Sequence, residues 1–432
     1  MNRDLARAVL ARLRPAGESS TAMDFQQFGI RDWEQTLDWL VDSDLALYFL
    51  HHLQTSNETK IIPPKILRHL ETCFEDNQLR WERLAETFGC ITKGFQQKGM
   101  PFAVIKGLSL VPDYCPNALL RAPSDLDFLI ESRNLPLAQQ VLEMAGYHPK
   151  VSSGIDLKFW KPSPKMPTAS DNPYSVSTEP LVELHLGFWE NEHRIPLAEP
   201  FSLEHVVGHS WRNLSFPVLN ETDAFLLQIV HVFLHIAKCW VKLCWLLEIS
   251  SFMSKRSLDE DFWHKVNDRM LQFPGLIEFA GIVLGLIKTV LDSPTPKIAD
   301  TWLHSLRPGS RLWLDKYAET WALDDHPFRR SGFFRPAKLA LFLHQQYVPD
   351  RDLRKEVIRQ RLFPWKRPDQ QVSFPVDYEP ARSLRSQWAR GTFVVNRIKF
   401  HAGSTLRYLG EAPLWWYRVN HAIRRRTTFA DT

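Results

Sequence analysis

Two kinds of apolar pattern alternate along this chain, one with the period of a helix and one with the period of a strand. Trp33, Leu37, Leu40, Val41 and Leu45 recur at helical spacing, as do Trp81, Leu84, Phe88, Ile91 and Phe95. Each set forms the apolar stripe of an amphipathic helix packed on a neighbour, and residues 1–95 read as a helical N-terminal domain. Glu221 to Met253 carries one long helical pattern, and further helices are expected from about residue 259 to 345, within a second helical domain over 191–345. Gly275 to Leu291 is mostly apolar but contains Glu278 and Lys288. It falls short of the ~18 uninterrupted apolar residues of a membrane span, which predicts a buried helix.

The strand period appears between these helical regions. Pro101-Phe102-Ala103-Val104-Ile105 is a short apolar run that stops at Lys106-Gly107, and Leu108 to Val111 begins a short helix. In Ser124-Asp125-Leu126-Asp127-Phe128-Leu129-Ile130 the alternation puts Asp125 and Asp127 on one face, while Leu126, Phe128 and Ile130 point into a core. Pro180-Leu181-Val182-Glu183-Leu184-His185-Leu186 alternates likewise, with Glu183 and His185 opposite Val182, Leu184 and Leu186. Ile155 to Trp160 also alternates and is expected to pair with it as an antiparallel neighbour across the polar stretch 161–179, which either covers the site or is disordered. A small mixed sheet flanked by helices gives an α+β fold, with a core over 96–190 embedded between helical domains.

Two carboxylates held two apart on a buried strand repel, and a hard divalent ion such as Mg²⁺ is the natural compensation. Gly107 permits a tight turn and close backbone approach, Lys106 and Ser109 stand where phosphate oxygens can be gripped, and Arg121 offers a planar fork of donors. Together with Ser124 before the acids, these residues supply the parts of a triphosphate site. Glu183 is the third acid, and the three carboxylates are expected within about 6 Å of a common point, the span over which one or two Mg²⁺ ions are shared.

The order Lys106-Gly107, Arg121, Ser124 to Ile130, then Val182-Glu183-Leu184-His185, resembles the uncharacterised bacterial nucleotidyltransferase family within the DNA polymerase β-like superfamily. The likeness extends through Ala224 to Leu227, His231, His235, Trp245 and Glu248, and covers residues 30 to 370. It departs from the superfamily at the turn, where Gly107 is followed by Leu108 and Ser109 comes one place later. The resemblance implies transfer of NMP from an NTP such as ATP to an acceptor, with pyrophosphate leaving. Asp125 and Asp127 would then hold the ion that orients the triphosphate, Glu183 would join them around the ion that activates the acceptor, and Lys106 and Arg121 would offset phosphate charge. The acceptor is left open among a small molecule, a glycan precursor, a protein and an RNA. The other class is a non-catalytic regulatory protein that binds nucleotide or a partner on the same fold.

At 432 residues the chain is long enough for two or three domains. Cys73, Cys90, Cys115, Cys239 and Cys244 are odd in number and form no C-x-x-C pair, which points to reduced thiols in a cytoplasm. The N-terminus is charged and amphipathic, without the apolar run of a signal peptide. His231 and His235 stand four apart, but Val232 occupies the position where H-E-x-x-H requires Glu. They read either as helix histidines near the core or, with Lys238 and Lys242, as lining of the nucleotide or acceptor pocket. Trp39, Trp240 and Trp245 read as core.

The net charge of +4 conceals an asymmetry: from Arg329 onward 21 Lys/Arg stand against 8 Asp/Glu, so this part carries +13 and the remainder −9. Residues 346–432 form a basic C-terminal region, with Pro364, Pro368, Pro375 and Pro380 marking an extended linker over 364–381. Trp415-Trp416-Tyr417-Arg418 through Arg424-Arg425-Arg426 mixes aromatics with arginines, as nucleic-acid and anionic-membrane surfaces do. The alternatives are an anionic partner, packing against the acidic N-terminal helices, and simple solvation.

Overall fold

A computed structural model describes residues 1–15, 24–150, 156–162, 174, 179–187, 194–324, 333–364 and 384–430. Residues 365–381 of the expected linker and most of the 161–179 loop lie outside the described residues.

Helices come first. The Asn2 side chain caps α1 (Arg3–Leu13) by accepting from the Asp4 and Leu5 amides, and α2 (Ile30–Asp42) and α3 (Ala46–Thr55) follow. The 34-residue α4 (Pro64–Gln97) starts on Pro64, whose missing N–H costs nothing in a first turn. Its length links two cores: Ile66, Leu70 and Cys73 belong to one, and Trp81, Leu84, Phe88, Ile91 and Phe95 to the other.

The sheet is built from β1 (Phe102–Ile105), β2 (Asp125–Ile130), β3 (His148–Lys150), β4 (Asp156–Trp160), β5 (Leu181–His185), β6 (Val206–Trp211) and β7 (Leu214–Leu219), in the order β3-β4-β5-β2-β1-β7-β6. The ladders β2–β5 and β1–β7 are parallel and the others antiparallel. The fold is α+β with one mixed sheet. β4 and β5 pair as their alternation predicted. The hairpin β6–β7 lies in the 191–345 segment read above as helical, and β7 joins it to the sheet beside β1.

One sheet face, with Phe102, Val104, Leu126, Phe128, Ile130, Val182 and Leu184, packs on the second half of α4 and on α5 (Leu135–Met144). Phe128 sits 5.3 Å from Phe95 and 6.0 Å from Phe88, ring centre to ring centre. The other face, with Ala103, Ile105, Leu129 and Leu219, joins the larger core formed with the helices. These are α6 (Glu221–Ala237), α7 (Leu243–Lys255), α8 (Glu260–Leu271), α9 (Leu276–Leu291), α10 (Lys297–Ser305), α11 (Pro308–Ala322), α12 (Ala340–His344), α13 (Arg351–Leu362) and α14 (Leu384–Ala430). Helices before residue 73 and after residue 220 share this core.

The single helix expected over Glu221 to Met253 is two helices. Cys239 adopts φ +69° between α6 and α7, where Lys242 pairs with Asp44 at 2.5 Å and the Cys244 amide donates to the Ser43 carbonyl. Those bonds tie the break to the α2–α3 junction. The apolar residues Trp240 and Val241 keep the periodic pattern running through the break, which hides it in the sequence.

The apolar run at 275–291 is the buried helix α9, and no helix among the described residues is long and apolar enough to cross a membrane. Its Gly281 lets α10 approach, since a Cβ there would stand 2.7 Å from the Trp302 carbonyl oxygen. Gly281→Ala is expected to lower stability by about 1–2 kcal/mol, the overpacking cost exceeding the gain in helix propensity. Thermal unfolding checks this, and a midpoint equal to or above wild type contradicts the close contact.

Candidate functional site

Strand register assembles the polar cluster. Ile105, Asp127, Glu183 and Lys158 are successive cross-strand partners in one row over β1, β2, β5 and β4, and Leu129, His185 and Asp156 form the next row. Paired residues share a sheet face, so Asp127, Glu183, Lys158, His185 and Asp156 all project toward the larger core. Asp125, two residues before Asp127, projects to the same side.

Asp127 is the centre of this cluster. Lys106 Nζ donates to its Oδ1 at 2.7 Å, and His185 Nε2 lies 2.8 Å from the same oxygen. The other nitrogen of His185, Nδ1, is 2.6 Å from Asp156 Oδ1. Burial and the nearby Lys106 charge disfavour protonation of His185, yet its two carboxylate bonds prevail and raise its pKa to about 9. At neutral pH His185 is thus an imidazolium that donates to Asp127 and Asp156. Burial also works against ionisation of Asp127, but Lys106 and His185 outweigh it and hold this carboxyl well below the usual range. Lys106 stays charged for the reciprocal reason: Asp127, Glu183 and Asp125 more than offset its desolvation. Lys158 pairs with Glu183 in the same row.

Lys106 has an unusual backbone. At φ 59° and ψ −166° it occupies a region that is essentially reserved for glycine and costs about 1–3 kcal/mol. Gly107 follows at φ +51° and opens a 3-10 turn over Gly107–Leu110. Three bonds hold this conformation: the Ser109 amide and hydroxyl donate to the Lys106 carbonyl at 3.0 and 2.9 Å, and Arg121 Nη1 donates to the Gly107 carbonyl at 2.8 Å. The turn expected at Lys106-Gly107 is present, and it aims the ammonium back across the sheet at Asp127.

The remaining site candidates occupy distinct places. Arg121 is half-buried and its fork is engaged by Glu248 of α7, with Nε at 2.6 Å and Nη2 at 3.3 Å, while Tyr48 of α3 donates to the same carboxylate at 2.6 Å. Arg121 therefore positions the turn through the Gly107 carbonyl. Ser124 is exposed, and its carbonyl accepts from the Leu181 amide at 3.1 Å. Asp156, Lys158, Tyr48 and Glu248 belong to the site network although the sequence had not marked them as site residues. For Asp156 and Lys158 the signal was available, since alternation on β4 puts both on one face.

Potential ligand atoms of Asp127, Glu183 and His185 lie within 4.8 Å of one another. Asp125 is outside that group, but the charges of Asp127 and Glu183 still act on it. Burial and those two charges raise its pKa to about 6. The donor set suits a hard divalent cation, which takes carboxylate oxygens. Among the described residues both side-chain bonds to Asp127 fall on Oδ1. The carboxylates of Asp127 and Glu183 are the oxygen donors in this group, and His185, held between Asp127 and Asp156, orients Asp127.

The raised Asp125 pKa has a testable sign. Between the unfolded value near 3.9 and about 6 the folded chain holds a proton that the unfolded chain lacks, so stability from this group falls as pH rises through that window. Asp125→Asn is expected to stabilise the metal-free protein by about 1–2 kcal/mol at pH 7–8 and to be neutral near pH 4. Thermal midpoints across pH measure this, and a destabilised variant at pH 8 contradicts it.

Beyond the acids, His231 and His235 of α6 pack with Trp240 and Trp245. Ring centres are 4.6 Å apart for His231–Trp245 and 4.3 Å for His235–Trp240. Burial, His235 and Lys106 hold His231 well below its ordinary pKa. Trp39 is buried, whereas Trp240 and Trp245 are half-buried.

A family model described as an uncharacterised nucleotidyltransferase matches residues 30–292, more than half of the chain. No curated protein and no solved structure matches.

Proposed function

The chain belongs to this family of uncharacterised nucleotidyltransferases, and from that premise we propose that it transfers NMP from an NTP to an acceptor with release of pyrophosphate, using the Asp125, Asp127 and Glu183 carboxylates as Mg²⁺ ligands. The observation that carries the reading is the meeting of the buried Asp127 and Glu183 across β2 and β5, with Asp125 on the same strand face as Asp127, beside the strained Lys106-Gly107 turn. When bound, one or two Mg²⁺ ions would neutralise triphosphate charge and lower the pKa of an attacking hydroxyl. The chain's own groups do the rest. Lys106 and Lys158 bring positive charge to the phosphate side of the cluster, and His185 fixes the rotamer of Asp127 by bonding it to Asp156. Arg121 secures the turn, and Ser109 restrains the Lys106 carbonyl. Ser124, exposed just before β2, and the Gly107 amide are assigned to phosphate oxygens in this reading.

Supplying α-labelled NTPs to the protein in a cell extract tests the reading and sorts the acceptor. Label is expected to enter one fraction among protein, RNA, glycan precursor and small molecule, and to need both Mg²⁺ and the intact acids. Label retained only in NTP or NDP argues against nucleotidyl transfer.

A further inference from the structure

The C-terminal helix α14 packs one face on the rest of the described residues and exposes a row of apolar side chains beside it. Its inner face is anchored: Tyr408 and Trp415 stack on Phe342 of α12 at 4.5 and 4.9 Å, and Glu411 accepts from Tyr317 of α11 at 2.9 Å. About a quarter-turn away, Val394, Ile398, Leu409, Trp416 and Ile423 form an outward stripe, within roughly a 60° arc at about 100° per residue. Each is at least 41 % exposed, Ile398 reaching 62 %. Tyr417, at 69 % exposure, flanks the stripe.

Exposed apolar side chains aligned along one helix face mark an interaction site, and the charge around them identifies the partner. From Leu384 to Ala430 the sequence contains nine Lys/Arg and one Glu, Glu411. A second copy of the same helix would bring the same excess of positive charge against it. A nucleic-acid backbone would satisfy the charge but leave valine, leucine and isoleucine side chains without a partner. An anionic bilayer satisfies both, since its headgroups attract Lys and Arg while the acyl boundary takes up the apolar stripe, with Trp and Tyr at the interface. We propose that α14 is a peripheral membrane-binding helix, which lies along an anionic lipid surface through the Val394–Ile423 stripe and carries the transferase core with it. The surface stands independently of whether the carboxylate site turns over nucleotide.

Flotation of the full-length protein with lipid vesicles tests this. The protein is expected to float with vesicles of phosphatidylcholine containing one-third phosphatidylglycerol and to stay behind with phosphatidylcholine alone. Binding should weaken with added salt as the Debye length contracts below about 10 Å. Replacing the three exposed side chains in Ile398→Gln/Leu409→Gln/Trp416→Gln is expected to reduce partitioning on the order of tenfold or more, with an unchanged thermal midpoint because none of them packs in the core. Absence of flotation with the anionic vesicles overturns the proposal, as does equal flotation of the triple variant. It is also overturned if sedimentation shows a wild-type dimer that the triple variant abolishes, or if the protein binds a labelled duplex in preference to the vesicles.

Discussion

Asp127→Asn is expected to lower nucleotidyl transfer about a hundred- to thousandfold while leaving the chain folded. The variant keeps an acceptor oxygen for Lys106 and His185 but removes the charge that both were arranged around. Two effects combine. The carboxylate set loses its central member, and the buried Lys106 and His185 lose the charge that both bond to, costing about 2–4 kcal/mol of stability. A spectroscopic readout separates these from simple unfolding. With Asp127 neutral, one of the two bonds that raise His185 is weakened, so its imidazole titration should move from about 9 toward the ordinary value near 6.5. An unchanged His185 titration would show that Asp127 does not hold it, and wild-type activity would remove Asp127 from the site.

The second large effect lies away from the chemistry. Arg121→Met is expected to destabilise the protein by about 3–5 kcal/mol, because it leaves Glu248 charged, buried and without its bidentate partner. It also frees the Gly107 carbonyl and with it the strained turn that aims Lys106. Removing both charges in Arg121→Met/Glu248→Leu should recover much of the stability, since a well-packed apolar pair can replace a buried ion pair at little net cost. It should not recover activity, because the turn still lacks its Nη1 donor. Equal stability of Arg121→Met and wild type in thermal unfolding would contradict the network. Recovered activity in the double variant would show that Arg121 does not position the turn.

What the sequence made legible followed from period. Strand β1 is a short apolar run and β2, β4 and β5 are short alternating ones, and the alternation alone placed Asp125 with Asp127 and Glu183 with His185 on polar faces. The row joining Asp127 to Glu183 depends on register between strands more than fifty residues apart, which no local pattern encodes. The ion pair of Arg121 with Glu248 spans 127 residues and was invisible for the same reason. Arg121 read as a phosphate ligand because a fork of donors beside an acidic strand has that chemistry, and only tertiary packing brought Glu248 to it. The hairpin β6–β7 was missed because Gly208, His209 and Ser210 dilute the apolar signal of β6 and Pro217 reads against a strand in β7. The turn between them carries its own mark, Arg212 at φ 53° followed by Asn213, as tight hairpins often require a positive φ.

The most direct test of the central claim is Mg²⁺-dependent release of pyrophosphate from each NTP, with cell extract supplying the acceptor, by wild type and by Asp125→Asn/Asp127→Asn. Release by wild type that disappears in the double variant, with both proteins folded, is the predicted result. Equal release by the two proteins, or none by either while NTP binding persists, would contradict catalysis at these carboxylates.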